Sequence, residues 1–448
     1  MKRLYIIACA ALALCLCSCG GPKLKCNFSS AGISALEDEH LVLAGFAARQ
    51  GLSDGIHIPL KTSCLVVTDG KQKVCIISND LMEISPALAD EIRDSISVRS
   101  GLDRERILLH CIHTHSAPRL GGVSVEPGGP NRAYKIRTVE AIIDNAVKTI
   151  TNDKAFKPFR MEVAKGSAPI NYNRCEAETG PVDSDLYAVK IISGKKPVCA
   201  FYNIACHPVC MGPKSLLLSS DYSGVARGLV EDAWGCEVFQ LTGAAGNMDP
   251  KGGCLLVGHA EEIGTELADC LKSLEFTKVK PRGVLKFDTG LAQLPYLIDE
   301  VTPAAVRAHA DSIAVAYKTE FPRFAEDVRG WEAEILSRFD KGPVPNKLDF
   351  NMEALNLDGV IFFFSQGEPF CEYQTSVRAN HPDKTIFFAG YTNGQNSYLP
   401  SAHAYEYRKG YEYEIEQMHV YIKAPYPLSP EMPAAYSAAV EETIQKVF

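Results

Sequence analysis

The sequence predicts an α/β protein, with a mixed β-sheet core, flanking helices, and catalytic residues at the carboxyl ends of strands. Three observations carry that expectation. Short runs rich in Val, Ile and Phe recur along the chain; helical patterns with Gly and Pro punctuation separate them; and His, Asp, Glu or Tyr stands just past most of the apolar runs. At 448 residues, 22% charged and 46% hydrophobic, the composition is that of a globular protein able to bury a large core. A formal charge of −8 and a pI near 5.8, with no basic run, exclude a nucleic-acid groove.

The N-terminus is a processing segment rather than part of the fold. "MKRLYIIACAALALCLCSCGG" sets Lys2 and Arg3 before a short apolar run and small residues, and Leu16, Cys17 and Ser18 before Cys19 resemble a bacterial lipobox. Residues 1–18 then read as a lipoprotein signal peptide, 19–30 as a tether carrying lipid on Cys19, and 31–448 as one large domain. That places the chain in the bacterial cell envelope, lipid-anchored, at the periplasm or the outer-membrane surface. A plain secretory signal is the alternative. Four of the sixteen cysteines fall in this segment; of the other twelve, Cys75, Cys111 and Cys206 lie in apolar runs and read as buried free thiols. No Cys-x-x-Cys spacing suggests a structural zinc site.

The first unit of the domain is a β-α-β. "KVCIIS" (73–78) is a buried strand; Ser85 and Pro86 cap and open the helix to Ser100; Gly101 closes it; and "RILLHCI" (106–112) returns as a strand. Further strands are expected at 198–206, 236–242, 359–366 and 385–391, with a helix at 258–274. Residues 302–338 begin Thr-Pro and are helical in composition, either an inserted layer or a lid. No repeat or linker divides the domain.

The residues just past each strand are able to do chemistry. After 106–112 stand His113 and His115; after 198–206, His207; after 236–242, "GAAGNMDP" with Asp249; after 359–366, Gly367 and Glu368; after 385–391, "TNGQNSY" with Tyr398. Ligands of α/β sheets bind where strand ends converge, so these residues are expected in one crevice. On a strand, residues two apart share a face, so His113 and His115 point together and His110 points away into the core. Two imidazoles and a carboxylate suit a catalytic zinc that keeps a position open for water.

Together these residues resemble the N-terminal catalytic domain of the neutral/alkaline, non-lysosomal ceramidases. The likeness begins near Gly55-Ile56-His57 and runs in order through "HTHSAP", "NYNRCEAETGPVDSDL", "ACHPVCM", "SSDYSG", "GAAGNMDP", "GEPF" and "TNGQNSYLPSAHAYEYRKGYEYE". It implies one Zn2+ per chain held by His113, His207, Glu368 and Tyr398. His115 resembles the histidine beside the metal-bound water, Arg174 an arginine near the reacting centre, and Tyr411 a tyrosine on the substrate carbonyl. Three departures stand out. Asp249 occupies a turn position where the family has serine, and would accept from the substrate N–H, serve as base or cap the turn; Tyr398 and Tyr411 are 13 apart, one more than the family pattern; and the family's C-terminal immunoglobulin-like domain is not expected in this chain.

The resemblance implies a zinc amidohydrolase cleaving ceramide-like N-acyl lipids by attack of a metal-bound water. Two other functions stay open: hydrolysis of other acyl amides or esters at the same centre, and a surface lipoprotein that binds a lipid or glycan without turnover.

Overall fold

The structure, a computed structural model, describes residues 24–318 and 322–448. The signal peptide 1–18 and Cys19 lie outside those residues.

The α/β expectation holds, built on three mixed sheets. The first carries β1 (Lys25–Gly32), β2 (Lys61–Thr68), β3 (Lys73–Asn79) and, after α1 (Pro86–Ser100), β4 (Ile107–Cys111), in the order β4-β3-β2-β1. Helix α2 (Arg132–Thr151) packs beside α1 on this sheet. The second carries β5 (Arg160–Ser167), β7 (Asp185–Ser193), β8 (Lys196–Ile204) and, after α3 (Asp221–Trp234), β9 (Val238–Thr242), while the short β6 (Asn171–Asn173) between β5 and β7 belongs to a separate two-stranded sheet. Strand β10 (Met248–Pro250) pairs with β6, and α4 (Val257–Ser273) lies against α3. The third sheet is β11 (Leu285–Pro295), β12 (Lys347–Leu357), β13 (Val360–Ser365) and, after α7 (Cys371–Asn380), β14 (Thr385–Ala389).

Each sheet has the same plan: antiparallel pairing that ends in one parallel pair, β3/β4, β8/β9 or β13/β14, joined by a helical crossover. Residues from all three sheets, including Val67, Leu108, Val189, Phe201, Phe362 and Phe387, share one core cluster. The crossover strands therefore end side by side.

The α1 signals act as read: the Ser85 side chain accepts from the Leu88 amide, Pro86 opens the helix, and Gly101 closes it at φ 74°. Residues 302–338 are a hairpin of α5 (Pro303–Tyr317) and α6 (Pro322–Arg338), inserted between β11 and β12 with its own apolar seam of Val306, Ile313, Phe324, Val328, Trp331 and Ile335. The chain ends in α8 (Ala402–Tyr407), a π-helical turn (Tyr413–Gln417), α9 (Met418–Tyr421) and α10 (Met432–Gln445).

One expectation is corrected. The proposed tether 19–30 runs into β1, which pairs with β2 along its whole length from Lys25↔Thr68 to Gly32↔Lys61, and Leu24 and Cys26 are buried. From residue 24 onward that segment is core. Twelve cysteines are free among the described residues, and Cys75, Cys111 and Cys206 are fully buried. Among the described residues no helix is long and apolar enough to cross a membrane.

Candidate metal centre

The site forms where the crossover strands stop. Strand β4 ends at Cys111, and His113 takes a left-handed backbone, φ 71°, which is strained for a residue with a side chain. Strand alternation therefore does not operate across 113–115. A turn, not a shared strand face, brings His113 and His115 together, with their Nε2 atoms 3.2 Å apart. His110, still within β4, faces the other way: Nδ1 donates to the Gly390 carbonyl at 2.9 Å and Nε2 accepts from the Thr242 amide at 2.9 Å. It stitches three strand ends together, and both nitrogens are used.

His207 comes just after β8. Its Nδ1 donates to the Ala245 carbonyl at 2.7 Å, and its Nε2 lies 3.0 Å from Glu368 Oε2. His113 has the same arrangement: Nδ1 donates to the Met82 carbonyl at 2.9 Å, and Nε2 lies 3.3 Å from the same Oε2. With the protons held at Nδ1, both Nε2 atoms present lone pairs to a carboxylate oxygen. Burial pushes both imidazoles down to about 4, so neither carries charge at neutral pH. Electron-rich atoms so placed repel each other unless a cation lies among them.

The spacing fits a metal. Tetrahedral ligands at about 2.0–2.2 Å from an ion are separated by about 3.3–3.6 Å, and the donor atoms here are 3.0–3.3 Å apart. The nitrogens of His113, His115 and His207 all lie within 4.8 Å of one another, a group that could hold an ion. His115 is thus as close to His113 as a ligand is, although the family resemblance sets it outside the ligand set. Its Nδ1 is buried with no partner. Gly45 packs on this ring so tightly that a Cβ there, at φ 97°, would lie 2.4 Å from Cγ.

Glu368 sits on a two-residue strand paired in parallel with Tyr398–Leu399, so carboxylate and phenol arrive side by side, and the phenol favours the charged carboxylate. Gln395 Nε2 donates to the outer oxygen, Oε1, turning Oε2 toward the histidines. Burial raises the Glu368 carboxyl above its ordinary range, against the pull of His113 and Arg174. The loop holding His207 packs on the Glu368 backbone at Gly246, where a Cβ would lie 2.5 Å from the Glu368 carbonyl.

Arg174 closes one wall. It donates to Glu414 Oε1 at 2.9 Å and Asp249 Oδ1 at 3.4 Å, and its guanidinium lies 5.4 Å from the centre of the Tyr398 ring. Burial opposes its charge, but Tyr398, Asp249 and Glu414 hold it well above the ordinary arginine value. Asp249 lies within β10 opposite Tyr172, so it caps no turn; its Oδ1 is also 3.9 Å from His207 Nδ1.

Tyr411, expected at the substrate carbonyl, is not brought to the cluster. Its ring is buried against Phe370 and its hydroxyl lies 3.4 Å from both Asn173 Nδ2 and Glu176 Oε2. The chain turns through left-handed Arg408 and Gly410, the latter pressed on the Cys175 carbonyl, and delivers Tyr413 instead, its ring 5.9 Å from Tyr398. Sequence reasoning missed four residues near the centre: Tyr391, its ring tilted against that of His113 with centroids 4.5 Å apart, and Gln395, Tyr413 and Glu414. All lie within "TNGQNSYLPSAHAYEYRKGYEYE" or the strand end before it, a stretch whose polar and aromatic density was the available signal.

Fold and site define an α/β protein with a preformed crevice of three histidines and a carboxylate at the ends of three crossovers, whose three imidazoles could hold a metal ion. Residues 37–242 match the family described as neutral/alkaline non-lysosomal ceramidase, N-terminal. That segment is a little under half of the chain. A neutral ceramidase of Oryza sativa subsp. japonica is 23% identical over 266 residues, 54% of this chain and 31% of its own length, so the chain spans about a third of that relative. The fold is also that of neutral ceramidase from Pseudomonas aeruginosa (TM-score 0.64, 16% identity, 94% of this chain and 73% of that one) and of a ceramidase complexed with C2 (0.65, 15%, 95% and 76%).

Proposed function

We propose that the protein is a zinc-dependent amidohydrolase of N-acyl lipids. The observation that carries this reading is the convergence of two Nδ1-protonated imidazoles on one oxygen of Glu368, an arrangement whose chemistry calls for a cation. His113, His207, Glu368 and Tyr398 would hold the ion, with His115 beside them. Bound there, zinc supplies Lewis acidity, polarising the scissile carbonyl and lowering the pKa of water.

The chain's own residues do the rest. Carbonyls of Met82 and Ala245 fix the histidine tautomers, and Gln395 fixes the carboxylate. Arg174, held by Asp249 and Glu414, gives a fixed positive charge beside Tyr398, suited to negative charge developing on the carbonyl oxygen. His115, its Nε2 3.2 Å from His113 Nε2, stands where it could take the proton released by the attacking water and pass it to the leaving amine. The N-acyl lipid substrate, ceramide-like, is carried over from the named relatives. A lipid on Cys19 would hold the enzyme at a bacterial envelope membrane, where such substrates lie.

The test is metal analysis of protein purified without chelators, together with hydrolysis of a fluorogenic ceramide. About one zinc per chain, and activity lost in Glu368→Gln, is the expected result. A metal-free protein, or full activity in Glu368→Gln, would refute the reading.

A further inference from the structure

A second cavity lies at the root of the inserted hairpin and shares no residue with the metal centre. It is a groove of about 590 Å³ between the end of α6, the turn that leads into β12, and the end of β11. The sequence shapes that turn. After α6 a single 3₁₀ turn, Phe339–Lys341, stops at Gly342, whose φ of 136° suits a residue without a Cβ. Pro343 and Pro345 then hold the chain extended. Tyr296, one residue past β11, is tied to the turn by its amide, which donates to the Asn346 carbonyl at 3.1 Å.

Charge in the groove is unbalanced. Arg338, Lys341 and Lys347 line it against one carboxylate, Asp349. Asp349 already accepts from Gln293 Nε2 at 3.1 Å. Arg338 donates to Glu334 at 3.0 Å along the exposed side of α6, a contact that holds a guanidinium only weakly. Lys341 and Lys347 are exposed, and among the described residues neither has an ion-pair partner.

Exposed lysines by themselves are ordinary. Tyr296 is what sets the groove apart. It is 7% exposed, its ring belongs to the core cluster of Phe350 and Leu428, and its hydroxyl has no hydrogen-bond partner. What remains accessible of it opens into the groove. Burial raises the phenol above the ordinary tyrosine range, while Arg338 and Asp349 act on it with opposite sign, so it keeps its proton and is a donor. Buried polar groups are nearly always hydrogen-bonded, and an orphan donor facing three cations is completed by an anion.

We propose that this groove binds a phosphate ester. Tyr296 Oη donates to one phosphate oxygen from the floor, Arg338, Lys341 and Lys347 surround the others, and Val344, Leu348 and Pro425 contact the organic part. A phosphate monoester carries about two negative charges and three terminal acceptor oxygens, which three cations and a neutral donor match better than they match a carboxylate. The volume is that of a small-molecule site. A free ester and the head group of a lipid present the same chemistry. The site stands apart from the proposed hydrolysis and does not depend on it.

Calorimetric titration of the full chain with glycerol 3-phosphate tests the soluble source. Retention on phosphatidylcholine vesicles with phosphatidic acid, over vesicles without it, tests the lipid source. Saturable binding of at least one probe, at a single site per chain, is expected. Tyr296→Phe should weaken it about tenfold, the worth of one charge-assisted hydrogen bond, and should unfold at the wild-type temperature because the hydroxyl has no partner in the free protein. Lys341→Gln with Lys347→Gln should weaken binding further and flatten its dependence on salt. Binding of the soluble ester, or of phosphatidic acid vesicles alone, supports the site and names its source. Binding of neither probe overturns the proposal. So does binding that the lysine variant weakens and Tyr296→Phe leaves unchanged, which is a diffuse effect of surface charge. Binding unchanged in both variants places the anion elsewhere, the metal centre included, and overturns it as well.

Discussion

Glu353 offers the sharpest quantitative test of how the loop behind the metal centre is held. It lies in β12, 1% exposed, between Thr289 and Phe364 on the neighbouring strands. Oε1 accepts from Asn393 Nδ2 at 2.8 Å, Arg93 comes only to 4.0 Å, and Oε2 is buried without a partner. Burial pushes the carboxyl up to about 7 from an ordinary 4.5, with Arg93 and Asn393 opposing. The folded state binds this proton more tightly than the unfolded chain does. Its contribution to stability is therefore complete below pH 4.5 and is lost as pH rises through about 7. At about 1.4 kcal/mol per pH unit, the gap amounts to about 3 kcal/mol. Glu353→Gln stays neutral and keeps an oxygen for Asn393. Urea denaturation of both proteins from pH 4.5 to 8.5 should show near-equal stability at the acid end, and the variant more stable by about 3 kcal/mol at the alkaline end. Comparing the two proteins at each pH cancels every other titration. A difference that does not change with pH, or a variant less stable at pH 8, would mean that Arg93 keeps the carboxylate charged and would refute the argument.

Two other positions around the centre give separate tests. Tyr391 Oη is buried among its neighbours without a hydrogen bond, so Tyr391→Phe should be neutral or stabilise by about 1 kcal/mol; thermal denaturation showing a loss of more than that would reveal an unseen partner. His110→Ala should cost about 2 kcal/mol, because it strands the Thr242 amide and leaves the Gly390 carbonyl with the Thr392 hydroxyl alone, while retaining metal; His113→Ala should lose the metal. Equal metal retention in the two would show that the centre is elsewhere.

Local signals made much of the fold legible, and long-range pairing accounts for most of what was missed. Ser85, Pro86 and Gly101 announce α1 because capping is a property of adjacent residues. The parallel strands are legible because burial on both faces makes them continuous apolar runs. Strand β1 is not, since "KCNFSSAG" has only Cys26 fully buried and owes its strand to β2, about thirty residues away. The same limit applies at the site. The grouping of His113, His207 and Glu368 could be inferred from strand ends. The left-handed turn at His113 and the turn that exchanges Tyr411 for Tyr413 depend on packing against Leu81, Cys175 and Asn173, residues far away in sequence.

Asp249 shows how one residue type changes meaning once its strand is placed. Read as part of a Gly-Asn-Met-Asp-Pro turn, it had two roles, a cap or a substrate contact. Pairing of β10 with β6 sets Asp249 opposite Tyr172, one residue from Asn173 and two from Arg174, and directs its carboxylate to that guanidinium. A serine in this position would offer Arg174 a dipole in place of a charge, leaving Glu414 as its only carboxylate partner of the two. With Asp249 present, Arg174 is gripped from both sides above the Tyr398 ring, and its position is decided before any substrate arrives. That is preorganisation obtained at a cost, since a guanidinium already neutralised by two carboxylates attracts a carbonyl oxygen less strongly than one paired once. The departure at residue 249 therefore acts on the arginine, tuning how much positive charge the crevice presents, and through His207 Nδ1, 3.9 Å away, its charge also reaches the histidine and Glu368 cluster.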